Sequence, residues 1–337
     1  MQNRPHIIDI HCHTAGIGAG GSGCFLSPAM RRNIRYRFFL KAFGVTQSEL
    51  EREGDGLIME RLSRRLGESL HVAEAVVLAM DGVVDRNGCL DRERTEMYIP
   101  NDYLAQHCRL YPNLLFGASV NPLRRDALDE LDRVAEAGAV LVKWLPSIQN
   151  IDPDSSALAT FYRRLADLKL PLLTHTGNEE SFTRADNHLA DPALLRRPLD
   201  AGVTVIAAHC ASNGTNQGQR NLERLLSLFD RYPNLYADFS SLTQVNRLGH
   251  LSQILREQHI HDRLLYGSDM PIIATPATSP WWHAYRLPLA TVRRLSAIAN
   301  PWDRDVELKR ALGVTDEVFG NSARILKMKG VTTPNPS

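Results

Sequence analysis

The stretch Ile7–Ile8–Asp9–Ile10–His11–Cys12–His13 decides how the rest of the chain is read. A short apolar run ends in two histidines that are one residue apart. In an extended strand side chains alternate faces, so His11 and His13 point one way and Cys12 the other. Two imidazoles on one face at a strand end can grip one metal ion. Further along, four more apolar runs end in Lys143, His175, His209 and Asp269, each a candidate metal ligand. One such coincidence carries little weight; the same ending repeated in order along the chain carries much more.

The whole chain bounds the answer. Its 337 residues suit one large α/β domain, and 43% apolar with 23% charged residues is the balance of a globular protein. Thirty-nine basic against 38 acidic residues leave a net charge of +1, which argues against nucleic acid or an anionic membrane as partner. Five cysteines without framework spacing fit a reducing compartment. The opening Met1–Gln2–Asn3–Arg4–Pro5 has no apolar signal core, and no stretch is long enough to span a bilayer. The expectation is a cytoplasmic protein acting on a small molecule, with a homo-oligomer allowed by the sequence.

Taken in order, predicted strands fall at 6–10, 75–80, 115–119, 139–142, 172–174, 203–208, 235–237 and 264–268. Between the later ones lie amphipathic segments at 101–110, 124–137, 157–168, 193–199, 222–229 and 244–258, and 287–300 and 316–329 read as closing helices. Strands alternating with helices imply a parallel sheet, and eight of them imply a closed (β/α)8 TIM barrel within a single domain over 1–330. Residues 331–337 read as a disordered tail. A long insertion, 14–71, follows strand 1. Its first part is glycine-rich (Gly16, Gly18, Gly20, Gly21, Gly23) and reads as a flexible loop. Its second part, Met30 to Phe43, reads as a basic amphipathic helix. Either that helix shows solvent a basic face, or it is a lid whose Arg31 and Arg35 attract an anionic substrate.

Active sites of such barrels lie at the C-terminal strand ends, where His11, His13, Lys143, His175, His209 and Asp269 all fall. Nitrogen and carboxylate donors suit zinc, one ion or two, with Mn2+, Fe2+ or Ni2+ as alternatives. A metal-bound water is acidic near neutral pH, and Asp269 beside it would serve as general base and then acid. Trp144, Trp281 and Trp282 are candidates to stack on a substrate ring, with ordinary packing as the other reading. Cys12 and Cys210 read as packing residues, and the remaining histidines have no partner pattern.

The segments 8–13, Thr174–His175–Thr176–Gly177, Ala208–His209–Cys210 and Tyr266–Gly267–Ser268–Asp269–Met270–Pro271 resemble the amidohydrolase superfamily. Within it the likeness is to the branch of TIM-barrel metal-dependent hydrolases that also holds nonoxidative decarboxylases. The ending Val318–Phe319–Gly320–Asn321–Ser322–Ala323–Arg324–Ile325–Leu326 is similar to that branch's closing segment. The resemblance implies metal ligation by His11, His13 and Asp269, usually with His175. It implies that His209 binds a second metal or acts as catalytic base or acid. Lys143–Trp144–Leu145–Pro146 has the spacing of dihydroorotase-like members, whose lysine is carboxylated and bridges two metals; the alternative is a free lysine cation beside one metal.

Two catalytic readings follow. In the first, a metal-dependent hydrolase cleaves a C–O or C–N bond of a small organic acid, lactone or amide. There Asp269 is the base, and His209 binds metal or stabilises the oxyanion. In the second, a single-metal decarboxylase acts on an aromatic or enoic acid. A non-catalytic ligand-binding barrel is a third reading, which the full ligand set opposes.

Overall fold

In the computed structural model, which describes residues 6–327, the eight apolar runs become eight parallel strands paired in sequence order. They are β1 Ile7–His13, β2 Val72–Leu78, β3 Leu114–Ala118, β4 Leu141–Trp144, β5 Leu172–Thr174, β6 Val205–Ala207, β7 Leu235–Asp238 and β8 Leu264–Leu265. Just beyond β8 the chain returns to β1. Ile10 N–H donates to Tyr266 O (3.1 Å), His13 N–H to Met270 O (2.9 Å) and Asp269 N–H to His11 O (2.8 Å). The result is a nearly closed TIM barrel.

Two apolar layers follow from the pleat. Ile8, Ile10, Leu78, Leu173 and Ile206 fill the barrel interior, joined by Ile325 and Leu326 at its floor. Ile7, Cys12, Val77, Val142 and Leu172 face outward against the helices. Strict alternation would put His11 and His13 on the outer face with Ile7. A register irregularity between Asp9 and Cys12 shifts the parity, so that both histidines turn inward and Cys12 stays outside. Asp9, fully buried, pins this bend: Oδ1 accepts from His11 N–H (3.0 Å) and Ser268 N–H (2.9 Å), and Oδ2 accepts from Trp302 Nε1–H (2.9 Å).

The insertion is more ordered than its composition suggests. It holds α1 Pro28–Arg32, α2 Ile34–Phe43, α3 Gln47–Glu53 and α4 Gly56–Gly67. The expected single helix over 30–43 is two, because Asn33 ends α1 and its side chain caps α2 by accepting from Arg35 N–H (3.0 Å). The glycine-rich part is wrapped around the buried Asp55 carboxylate, which accepts from Ile17 N–H and Gly18 N–H at 2.9 Å each. A Cβ at Gly16 would lie 2.6 Å from Cys24 Cβ, so glycine there serves close packing.

The outer helices α5 Asn101–Cys108, α6 Ala127–Glu136, α8 Ala159–Asp167 and α10 Asn221–Phe229 match the expected segments to within a few residues, with the short α7 Pro146–Gln149 after β4 and α9 Arg196–Asp200 before β6. The helix expected over 244–258 is instead a 3-10 turn, Val245–Arg247, and a short α11 His250–Ile254. They are separated by Gly249 at φ 86, a left-handed residue that breaks the ladder. After α12 Leu289–Ser296 comes a helix the apolar pattern did not reveal, α13 Pro301–Ala311, followed by α14 Asp316–Lys327. α13 buries charged side chains that find partners: Lys309 Nζ lies 2.7 Å from Asp305 Oδ2, and Asp303 accepts from Leu70 N–H at 2.9 Å. The proposed tail at 331–337 and the start at 1–5 lie outside the described residues. Among the described residues no helix is long and apolar enough to cross a membrane.

Candidate active site

The strand ends bring His11, His13, Lys143, His175, His209 and Asp269 together at the C-terminal mouth of the barrel. His11 Nε2 and His13 Nε2 stand 3.1 Å apart, and Asp269 Oδ1 lies 3.3 Å from the second and 3.7 Å from the first. Donor atoms about 2.0–2.2 Å from one ion must sit about 3–3.6 Å from each other, so this triplet has the spacing of a ligand set. His175 adds to it: its Nε2 is buried without a hydrogen-bond partner among the described residues, while Glu179 Oε2 lies 3.5 Å from Nδ1. Lys143 Nζ, also buried, is 3.0 Å from His11 Nε2.

Two ligand positions need unusual backbone. His209, Cys210 and Ala211 run through left-handed φ of 58, 49 and 46, and Asp269 has φ 59. Non-glycine residues in this region cost about 1–2 kcal/mol each. The site holds them there by hydrogen bonds: His209 N–H to Asp238 Oδ1 (2.9 Å) and Asp269 N–H to His11 O (2.8 Å). The turn swings His209 inward and Cys210 outward, where Sγ–H donates to Asp238 O (3.1 Å). Gly267 makes room, because a Cβ there would fall 2.8 Å from His11 Cβ and 3.1 Å from Ser240 Cβ.

Asp238 organises the pair His11 and His209. Oδ2 takes the His11 Nδ1–H at 2.8 Å, which leaves the ring's lone pair on Nε2. Ser240 Oγ–H donates to Asp238 Oδ1, so Ser240 can only accept from His209 Nδ1–H, at 2.8 Å. His209 Nε2 therefore carries a lone pair. In this tautomer the neutral ring offers an acceptor, suited to a metal or a proton. The two rings stack at 5.0 Å.

Burial sets the charges. It pulls His11 down to about 4, aided by Lys143 and opposed by Asp238, and it lowers His175 and His209 as well. All three imidazoles are thus neutral near pH 7, the form that binds metal. Burial alone would raise Asp238 and Asp269; the contact with the His11 ring for the first and the His13 hydrogen bond for the second outweigh it and hold both below the ordinary carboxylate range. Burial pulls Lys143 down to about 8, against Asp238 and Asp269.

In front of these groups opens a cavity of about 560 Å³, the size of a small-molecule site. His13, His175, His209 and Asp269 form its floor, and α2 of the insertion forms a wall. Arg247, only 7% exposed, also lines it; Nη1–H donates to Ser212 Oγ (3.0 Å), and Nε has no hydrogen-bond partner among the described residues. Arg247 sits in a stretch that reads as plain helix, and Asp238 was legible only as a strand end, so neither announced a role in the sequence.

Several expected substrate contacts are corrected. Trp144 is fully buried on the outer side of β4, its Nε1–H donating to Val120 O (2.7 Å) and its ring packed on Phe161. Lys143 faces the interior, so the pleat must turn Trp144 away. Trp281 and Trp282 stand half-exposed beyond the cavity rim, with Trp282 Nε1–H donating to Pro276 O (2.8 Å). Arg31 donates to Ile17 O (2.9 Å) and does not line the cavity, whereas Arg35 does line it and also donates to the Glu180 carbonyl.

Comparison with known proteins agrees with this geometry. The chain shares its fold with an uncharacterized TIM-barrel protein from Bordetella bronchiseptica (16% identity, 96% of this chain and 99% of that one, TM-score 0.59). The same holds for a putative 2-pyrone-4,6-dicarboxylic acid hydrolase from Pseudomonas putida (17%, 98% and 100%, 0.55). It is also similar to a 2,6-dihydroxybenzoate decarboxylase from Rhizobium (15%, 97% and 100%, 0.52). No curated protein matches the chain in sequence. The amidohydrolase family pattern matches residues 8–315, and the chain is an enzyme of the amidohydrolase family.

Proposed function

We propose that this is a cytoplasmic metal-dependent hydrolase that cleaves a C–O or C–N bond in a small organic acid, lactone or amide. His11, His13 and Asp269, with His175, would hold the ion, and their donor set suits zinc, with Mn2+, Fe2+ or Ni2+ as alternatives. When bound, such an ion supplies Lewis acidity, making water acidic and polarising a carbonyl. The observation that carries the reading is the set of Asp269: Oδ1 faces both histidine Nε2 atoms while Oδ2 accepts from Ser241 Oγ–H. So oriented, the carboxylate takes the proton of the attacking water and returns it to the leaving oxygen or nitrogen. His209 Nε2, its tautomer set through Ser240, is a second proton acceptor or a ligand. Arg247 would seat a substrate carboxylate.

A second reading, nonoxidative decarboxylation, is favoured by the apolar walls of the cavity, which disfavour a carboxylate and favour its loss as carbon dioxide. There the C–C bond breaks, carbon dioxide leaves, and a proton drawn from water through Asp269 or His209 ends on the carbon. Incubating the zinc-loaded protein with lactones, amides and aromatic acids separates the two. Acid release without carbon dioxide supports hydrolysis, carbon dioxide release moves the assignment to the second reading, and full metal loading with no turnover of any class counts against both. Metal stoichiometry and the mass of Lys143, measured after preparation with zinc and bicarbonate, report whether that lysine is carboxylated between two metals. One metal and an unmodified lysine favour the decarboxylase.

A further inference from the structure

The lining of the cavity is mixed in chemistry. Beside the candidate ligands it holds Arg35, Glu179, Glu180 and Arg247. Its apolar part includes Leu26, Met30, Phe39, Leu40, Phe43 and Phe182, most of them from the insertion. Protein interiors are close-packed, and apolar side chains that line an open cavity forfeit dispersion contacts on that side. On α2 the residues Tyr36, Leu40 and Phe43 repeat at helical spacing and turn toward the barrel, so this helix had enough apolar surface to collapse onto the mouth. Arg35 ties α2 to the Glu180 carbonyl, and Glu96 takes the Thr183 N–H at 2.8 Å, which together fix the loop that carries Phe182.

We infer that this chamber receives an apolar arm of the substrate, an extended alkyl or aryl body whose acidic end lies at Arg247 and the ligand cluster. The assignment of the acidic end rests on the proposed function; the chamber rests on its own walls. The chain would then handle amphiphilic acids in preference to compact, fully polar ones. The insertion between β1 and β2 would set that preference, since it supplies most of the apolar wall.

Calorimetric titration of the zinc-loaded full-length protein with unbranched acids from butanoate to decanoate, and with the matching n-alkanols, tests this. The expected result is an affinity that rises about fourfold for each added methylene until the chamber is filled, in both series. Phe39→Asn with Phe182→Asn should flatten that slope to about twofold or less, while Phe39→Leu with Phe182→Leu retains it and shows that the fold tolerates change there. Arg247→Gln should weaken every acid alike and leave the alkanols unaffected. Acids that bind without a length dependence, or a slope indifferent to the asparagine pair, would overturn the chamber. A normal alkanol slope with acids insensitive to Arg247→Gln would instead overturn the placement of the acidic end and leave the chamber standing.

Discussion

Asp238 lies behind the candidate ligand cluster and serves four donors at once, the His11 ring, the His209 and Ser240 amides and the Ser240 hydroxyl. An asparagine there keeps the shape but offers one acceptor oxygen in place of two. Asp238→Asn should therefore lower metal affinity by about 10–100-fold without unfolding the chain, measured by competition against a chromogenic chelator. An unchanged affinity would mean that His11 needs no orienting partner. His13 is simpler, because its Nε2 faces His11 and Asp269 directly. His13→Ala should lose most bound metal and all turnover, and a fully metallated, active variant would end the ligand argument built on the opening stretch.

At the scale of elements, two helices do different work. α2 puts Arg35 on the cavity wall and leaves Arg37 outside it, with Arg31 on the preceding α1 turned to Ile17. For an anionic substrate, Arg35→Ala should raise KM several-fold and weaken its dependence on ionic strength, whereas Arg31→Ala and Arg37→Ala should leave both unchanged. Equal effects at all three positions would point to a diffuse basic field rather than a contact. α13 reaches the site from behind, through Trp302 Nε1 to Asp9 and from Asp9 to the amides of His11 and Ser268. Trp302→Phe keeps the bulk of the ring but strands a buried acceptor, so urea unfolding should show a loss of about 1–3 kcal/mol.

On the whole-molecule scale, the proposed ligands come from β1, the end of β5 and the turn after β8, so an ion bound to them would tie the first strand to the last. Chelation should lower the unfolding temperature by several degrees, since free metal at 100 times Kd adds about 2.7 kcal/mol to the native state; an unmoved transition would show that barrel closure needs no ion. Much of this architecture was legible beforehand. The apolar runs marked all eight strands, and their endings marked the six residues at the mouth, because strand alternation and the barrel's polarity are local and repetitive facts. The inward turn of His11 was not legible, since it depends on the slipped register between Asp9 and Cys12 against β2. That of His209 depends on a left-handed turn held by Asp238 from another strand. Trp144 shows the reverse case: once Lys143 faces in, the pleat alone sends its neighbour out, yet its aromatic character suggested a pocket. α13 escaped because its buried charges look like a solvated face until their partners elsewhere are seen: Gly267 O for Lys309 and the Leu70 amide for Asp303. The sequence by itself determined the strands, their order and the residue types at the mouth. Only the tertiary structure decided which way those side chains point and what stands behind them, because bulges, strained turns and buried pairs are stabilised by residues far away in the chain.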